Sequence, residues 1–268
     1  MSDVLSNNMI ISDHSIDAGN QTLFARRWQP VATPPTSSAI LLFHDSLGCV
    51  ELWRSFPKKL AATTGLPVIA YDRLGFGRSD ARAGKLELDF IENEAASFLP
   101  ILQKRLGFSR FMACGHSIGG AMAVEAAAQF PEQCRAVVTM GAQAFVEDRT
   151  LLGIQAAKET FSEDSNMARL QKYHGDKAAW VVDAWVETWL NPAFAGWTLD
   201  KAIALVCCPV LAIHGERDEY GSPAHPRRIA GRGGEFALLP NVGHVPHREN
   251  GALVLELITR FLDRCHKA

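Results

Sequence analysis

Short runs of apolar, β-branched residues alternate along the chain with longer segments whose apolar positions follow the helical period. This alternation predicts an α/β fold in which a mostly parallel sheet is covered by helices on both faces. The strands are predicted at residues 39–44, 67–71, 110–114, 136–140, 210–214 and 235–239. The helices are predicted near residues 53–63, 86–106, 118–130, 222–230 and 249–264.

Two parts of the chain do not follow this alternation of strands and helices. Residues 9–16 and 22–28 read as two strands joined by a hairpin at Ala18, Gly19 and Asn20, and residues 30–38 read as a loop. Residues 150–197 carry no strand signal, and their apolar spacing is helical throughout, which predicts a helical cap inserted into the fold. Because no linker composition separates two units, we expect one domain spanning residues 1–268.

The composition of the chain limits the kinds of molecule that it is expected to bind. A net charge of -2 gives no electrostatic field of the kind that recruits nucleic acid or acidic lipid. The polar start of the chain, Met1 to Asn8, resembles neither a signal peptide nor an anchor, and no apolar run reaches the roughly 20 residues that span a bilayer. The six cysteines lack the pair spacing of metal sites. We therefore expect a reduced, cytoplasmic protein that acts on a small molecule without cofactor or metal; the oligomeric state stays open.

Residues 115–119 read G-x-S-x-G, follow a predicted strand and precede an Ala-rich helix. In that setting the serine lies on a sharp turn, where glycines two positions away avoid collisions and the helix start directs amide donors toward the hydroxyl. Ser117 is the predicted nucleophile. His116, in the middle of the turn, is expected to fill space or bond locally.

A serine hydroxyl needs a neighbouring base, and that base needs an acid to orient it. His244 follows the last predicted strand and is preceded by a glycine, so it is the predicted base. Asp218 follows the preceding strand and is the predicted acid. The chain order Ser117, Asp218, His244 is the order found in α/β hydrolases.

Each of these assignments has a rival. His247 lies three residues after His244, but it lacks the preceding glycine and is expected to begin the next helix. Glu147 and Asp148 follow the strand ending at Met140, from which some hydrolases take their acid.

Residues 44–48, at the end of an apolar strand, predict an oxyanion-stabilising loop. The backbone N–H groups of Ser46 and Ile118 are the proposed donors. Asp45 brings a carboxylate close to the place where negative charge develops, which predicts a preference for neutral esters. An aspartate that only caps a surface loop would also account for this residue.

Five motifs, at residues 44–48, 71–79, 115–120, 214–218 and 243–249, occur in the order typical of one family. On these motifs the chain, from about Leu23 to Leu262, resembles the α/β-hydrolase superfamily in its capped branch of esterases and C–C hydrolases. One departure is that His44 is followed by Asp45, where the family usually has glycine. The resemblance implies the α/β-hydrolase fold and a Ser–Asp–His triad, but it does not specify a substrate.

The cap is rich in aromatic residues, and Trp185 and Trp189 are one helical turn apart. We expect these two side chains to line a pocket that selects a compact apolar group, although packing of the cap onto the sheet would also account for them.

Three functions fit these patterns. The first is hydrolysis of a carboxylic ester or related acyl bond through an acyl-enzyme on Ser117. The second is hydrolysis of a C–C bond in a ring-fission dienone, since Ser46 offers a hydroxyl near the oxyanion site. The chain lacks, however, the Gly-Pro-Gly run that C–C hydrolases carry after the strand-end histidine. The third is a ligand-binding receptor that kept the fold without turnover.

Overall fold

The structure is a computed structural model that describes residues 8–33 and 37–267. Residues 1–7, 34–36 and 268 lie outside the described part. With them lie most of the polar amino-terminal segment and the middle of the loop predicted at residues 30–38.

Eight strands form one mixed sheet in the order β1-β2-β4-β3-β5-β6-β7-β8. The strands are β1 (Met9–Asp17), β2 (Thr22–Pro30), β3 (Ser38–Phe43), β4 (Val68–Tyr71), β5 (Arg110–His116), β6 (Cys134–Met140), β7 (Val210–Gly215) and β8 (Glu235–Leu239). Pairing is antiparallel from β1 to β2 and from β2 to β4, and parallel across the rest. The predicted fold class is confirmed.

The predicted hairpin forms between β1 and β2, where Gly19 takes a φ of +93°, a left-handed value that glycine adopts without strain. Most strand boundaries agree with the prediction to within two residues. Strand β5 extends two residues further than predicted and ends at His116, so that the chain turns at Ser117.

Helices cover both faces of the sheet. They are α1 (Phe56–Thr64), α2 (Phe90–Leu106), α3 (Ile118–Gln129), α4 (Asp148–Phe161), α5 (Asp164–His174), α6 (Ala178–Trp189), α7 (Asp200–Leu205), α8 (Ala224–Ala230), α9 (Pro246–Glu249) and α10 (Gly251–Lys267). One apolar core lies between the sheet and α2, α3 and the cap, and a second lies between the sheet and α1 and α10. In the described residues, no helix combines the length and apolarity needed to cross a bilayer.

Helices α4, α5 and α6 form the inserted cap between β6 and β7. An isolated antiparallel bridge between Phe145 and Thr198 joins the chain where it leaves the sheet domain and where it returns. The first cap helix begins at Asp148, two residues earlier than predicted, because the extended backbone of Glu147 (φ -134°, ψ 162°) ends the preceding loop there.

The cap is attached to the sheet domain by hydrogen bonds from His174 and Trp180. His174, at the end of α5, accepts a hydrogen bond from Gly77 N–H (2.9 Å) and donates from Nε2 to the Leu47 carbonyl (3.1 Å). Trp180 in α6 donates to the Gly84 carbonyl (2.8 Å). These contacts connect the cap to the loops that follow β3 and β4.

Candidate active site

The turn at Ser117 is strained and closely packed. Ser117 has φ 54° and ψ -128°, a conformation that non-glycine residues rarely adopt, and its N–H donates to the Met140 carbonyl (2.9 Å). A Cβ on Gly115 would run into the backbone of Gly119, and one on Gly119 would run into the Phe43 carbonyl. The two glycines therefore let α3 start directly behind the serine and beside the end of β3.

Ser117, His244 and Asp218 form a continuous hydrogen-bonded chain. The distance from Ser117 Oγ to His244 Nε2 is 3.0 Å, and both Asp218 carboxylate oxygens lie 2.9 Å from His244 Nδ1. Because Nδ1 faces only a carboxylate, it carries the proton, and Nε2 is left to accept from the serine hydroxyl. The sequence-predicted trio is thus brought together in hydrogen-bonding geometry.

The surroundings of His244 and Asp218 favour a protonated imidazole and an ionised carboxylate. Burial acts to lower the pKa of His244, but the hydrogen bond and charge of Asp218, with the charges of Glu219 and Asp45, raise it above its ordinary 6.5. Burial likewise acts to raise the pKa of Asp218, and its bond to His244 and the charges of His244 and His214 outweigh that effect and lower it. Asp218 is therefore ionised at neutral pH and stabilises protonated His244.

The loop after β7 fixes Asp218 itself. Its Oδ1 accepts the backbone N–H groups of Tyr220 (2.8 Å) and Gly221 (3.1 Å), and His214 Nε2 lies 3.2 Å from Oδ2. Asp218 is almost fully buried. Every described contact to the carboxylate thus comes from a donor, which suits an ionised group.

Two groups hold the loop that carries His244. The Glu249 carboxylate accepts the N–H groups of Gly243 (2.7 Å) and Val245 (2.9 Å), which flank the histidine on either side. His116 Nε2 donates to the His244 carbonyl (2.8 Å). The backbone around His244 is thus bonded at three successive residues.

The rival residues lie elsewhere. The His247 ring is buried against Trp53, with ring centroids 4.9 Å apart, and Ser117 is hydrogen-bonded to His244 instead. Glu147 accepts hydrogen bonds from Ser222 and from His225 Nε2, away from His244. Asp148 is exposed at the start of α4.

The predicted amide donors lie in the loop after β3 and at the first residue of α3. Among the described residues, no protein acceptor is bonded to the N–H of Ser46 or of Ile118, whereas the Leu47 N–H is taken by Asp45 Oδ1 (2.9 Å). Arg73 fixes the loop from below by donating to the Asp45 carbonyl (3.0 Å). In the described part of the chain, the N–H groups of Ser46 and of Ile118, the residue after Ser117, are thus free of protein acceptors, as the donors of an oxyanion site must be.

Asp45 is paired with His116. Its Oδ2 lies 3.2 Å from His116 Nδ1, whose other ring nitrogen donates to the His244 carbonyl. Burial acts to raise the pKa of Asp45, but the hydrogen bond and charge of His116, helped by His44 and the Leu47 amide, hold it well below the ordinary value. His116 thus connects the Asp45 carboxylate to the backbone of His244.

A cavity of about 490 Å³ lies between the sheet domain and the cap, with Ser117 and His244 in its wall. The predicted pocket residues Asp45, Trp185 and Trp189 also line it, and so does Ser46. Trp189 is buried against Phe194 and Trp197, whereas Trp185 is half-buried.

Sequence reasoning missed several residues of this site. Tyr220 packs its ring on His244 (centroids 4.7 Å apart) and on Trp185 (5.9 Å), which links the cap to the base. The Gln143 amide oxygen lies 3.4 Å from Ser117 Oγ, a long contact that leaves the amide free for a substrate. Tyr220 lies two residues after Asp218, so the sequence did place it near the site; no pattern identifies Gln143.

No group of three or more His, Cys, Asp or Glu side chains in residues 8–33 and 37–267 is arranged to hold a metal ion. The geometry of the site is that of a nucleophile, a base and an orienting acid.

Comparisons with known proteins agree with this architecture. Residues 38–163 match the family model described as alpha/beta hydrolase fold. Serine hydrolase BPHL of Mus musculus is 29% identical over 206 residues, which cover 73% of this chain and 69% of the relative.

Solved structures with low sequence identity share the fold. A bacterial membrane phospholipase A superposes with a TM-score of 0.76 at 18% identity, over 96% of this chain and 87% of the other. E-2-(acetamidomethylene)succinate hydrolase superposes with a TM-score of 0.73 at 20% identity, over 95% of this chain and 100% of the other. With its strand order, nucleophile turn and helical cap, the chain has the α/β-hydrolase fold.

Proposed function

We propose that this protein is a serine hydrolase that cleaves a carboxylic ester or related acyl bond of a small, largely apolar substrate. The observation that carries the proposal is the hydrogen-bonded chain from Ser117 Oγ through His244 to Asp218, in the wall of a cavity of about 490 Å³. Similarity to a serine hydrolase supports the same reaction class.

In the acylation step, Ser117 Oγ attacks the carbonyl carbon while its proton passes to His244 Nε2. The positive charge formed on the imidazole is stabilised by Asp218. When the tetrahedral intermediate collapses, the bond to the leaving alcohol breaks and His244 gives that alcohol its proton. Water, deprotonated by His244, then attacks the acyl-enzyme and releases the acid and Ser117.

The oxyanion formed in both steps needs donors that are free beforehand. The N–H groups of Ser46 and Ile118 fit this role, since no protein acceptor in the described residues occupies them. One such donor contributes about 3 to 4 kcal/mol of transition-state stabilisation.

The test is labelling with a fluorophosphonate probe, followed by location of the adduct and by assays on ester, thioester, lactone and dienone substrates. We expect the adduct on Ser117. Ser117→Ala should lose labelling and lower turnover at least about a thousandfold with an unchanged melting temperature. Near-normal turnover by that variant would contradict the proposal.

The same panel separates the alternatives. Cleavage of the dienone in preference to the esters would indicate a C–C hydrolase. Labelling of Ser117 without turnover of any substrate in the panel would favour a binding protein.

A further inference from the structure

The mouth of the cavity is strongly basic. Four of its lining residues are cationic, and they come from separate parts of the chain: Arg54 precedes α1, Arg169 and Lys172 lie on α5, and Arg248 lies on α9. The only acidic lining residue is Asp45. Because the whole chain has a net charge of -2, this excess of positive charge is local to the cavity.

Asp45 offsets only one of these four cations, so the lining keeps an excess of positive charge. Its carboxylate is hydrogen-bonded to Leu47 N–H and to His116 within the site. The preference for neutral substrates that Asp45 predicts and the positive charge of the lining point in opposite directions, and the assay below decides between them.

Three of the four cations are free to bind a ligand. Arg54, Arg169 and Lys172 are exposed, and within the described residues their side chains have no hydrogen bond or ion pair. Arg169 and Lys172 are three residues apart, so they project from the same face of α5. Arg248 differs, because it donates to the Leu52 carbonyl (2.5 Å).

The backbone of Arg54 provides an independent observation. Arg54 has φ 53° and ψ -125°, a strained conformation nearly identical to that of Ser117. Such strain in a non-glycine residue clusters at ligand clamps and active sites, where the surrounding structure maintains it. A strained arginine at the mouth of the cavity that holds Ser117 points to contact with a ligand.

We propose that the substrate carries an anionic oxygen group, a carboxylate or a phosphate, which Arg54, Arg169 and Lys172 bind at the mouth of the cavity. The apolar part of the substrate then lies against Trp185 and Trp189, with the scissile bond at Ser117. Arginine presents a planar fork of donors that matches the geometry of both anions, and lysine adds a mobile point charge. This inference rests on the proposed hydrolase function.

The test compares matched esters in three proteins. On the leaving-group side, 4-acetoxybenzoate and 4-acetoxyphenyl phosphate are compared with neutral methyl 4-acetoxybenzoate. On the acyl side, mono-4-nitrophenyl glutarate is compared with 4-nitrophenyl pentanoate. The proteins are the wild type, R169Q/K172Q, and the matched control K158Q/K201Q, which removes two exposed cations outside the cavity lining. Ratios of kcat/KM between proteins cancel the intrinsic reactivity of each ester.

For at least one anionic ester, we expect R169Q/K172Q to lower the anionic-to-neutral ratio of kcat/KM about tenfold, mainly through KM. The control should change it less than twofold. The ester whose ratio falls shows whether the bound anion is a carboxylate or a phosphate. It also shows whether that anion lies on the acyl side or the leaving-group side of the scissile bond. Added NaCl should weaken the wild-type preference in the same direction. An unchanged ratio for all three anionic esters would overturn the inference.

Binding to Ser117→Ala protein keeps this inference separate from the proposed function. Calorimetric titration with the same anionic esters needs no turnover, and the added R169Q/K172Q substitutions should weaken binding about tenfold. If wild-type protein hydrolyses neutral esters but neither assay responds to the cavity charges, the hydrolase function stands and the anion site fails. If R169Q/K172Q weakens binding but the wild-type protein hydrolyses no substrate, the anion site stands and the hydrolase function fails.

Discussion

At the scale of single residues, His244 is the most constrained group of the site. Asp218 bonds its ring, Glu249 bonds the amides on both sides of it, and His116 bonds its carbonyl. Such constraint aligns Nε2 with Ser117 before any substrate arrives, which is how a preorganised base gains its effect.

The raised pKa of His244 has a direct kinetic consequence. Catalysis needs the neutral imidazole, so kcat/KM should fall as the pH drops through a pKa above 6.5. Asp218→Asn removes the charge that raises this pKa. It should therefore shift the acidic limb of the pH profile to lower pH and reduce kcat by about a thousandfold or more. Profiles of kcat/KM from pH 5 to 9 measure both effects.

Asp148→Asn is the control for this prediction, because Asp148 is exposed and away from His244. A larger loss of kcat in Asp148→Asn than in Asp218→Asn would show that the orienting acid follows β6 and not β7.

Glu249 acts on catalysis through the position of His244. Glu249→Gln leaves one oxygen to accept two amides, so we expect kcat to fall about tenfold while KM changes little. Glu256→Gln, which alters only an exposed ion pair on α10, is the control. Equal kcat values for the two variants would show that the loop carrying His244 keeps its position without both hydrogen bonds to Glu249.

At the scale of elements, α5 joins the cap to the sheet domain through His174. This side chain is buried and bonds both Gly77 and Leu47, so it connects the cap to the loop that presents Ser46. The position of the cap and the position of the amide donors are therefore linked by one residue.

Replacement of His174 by alanine should loosen α5. It leaves the Gly77 N–H and the Leu47 carbonyl without their partner, at a cost of about 1 to 3 kcal/mol. We expect faster hydrogen exchange in α5 and a rise in KM larger than the fall in kcat. His14→Ala, at a histidine on β1, serves as the control. Unchanged exchange in α5 would show that the remaining contacts of the cap suffice.

At the scale of the whole molecule, the cavity exists only because the cap closes over the sheet. Most of its apolar wall comes from the cap helices α4, α5 and α6, whereas Ser46, Ser117 and His244 come from the chain that follows β3, β5 and β8. The chemistry and the selection of substrate thus reside on different layers of the fold.

Substitution of the two tryptophans of α6 should therefore have different effects on specificity and stability. Trp185→Ala should extend the preferred acyl length in a series of 4-nitrophenyl esters with little change in melting, because Trp185 is half-buried on the cavity wall. Trp189→Ala removes a buried ring packed on Phe194 and Trp197, and should lower stability by about 3 kcal/mol or more. An unchanged acyl-length profile in Trp185→Ala would assign that ring to packing alone.

The order of elements and the positions of Ser117, Asp218 and His244 could be predicted because each depends on a local pattern. A strand, a turn with glycines and a helix are encoded within about ten residues, and apolar periodicity reports burial directly. Helix starts were less accurate: α4 begins two residues earlier than predicted, because an extended residue such as Glu147 leaves no periodic signal.

The sequence by itself determined the fold class, the inserted cap and the candidate triad. Only the tertiary structure showed the pairing of Asp45 with His116, the brace from Glu249, and the gathering of Arg54, Arg169 and Lys172 at one cavity mouth. The physical reason is distance along the chain. A local motif sets its own geometry, whereas the charge of a pocket is the sum of side chains that meet only after the sheet and the cap have packed together.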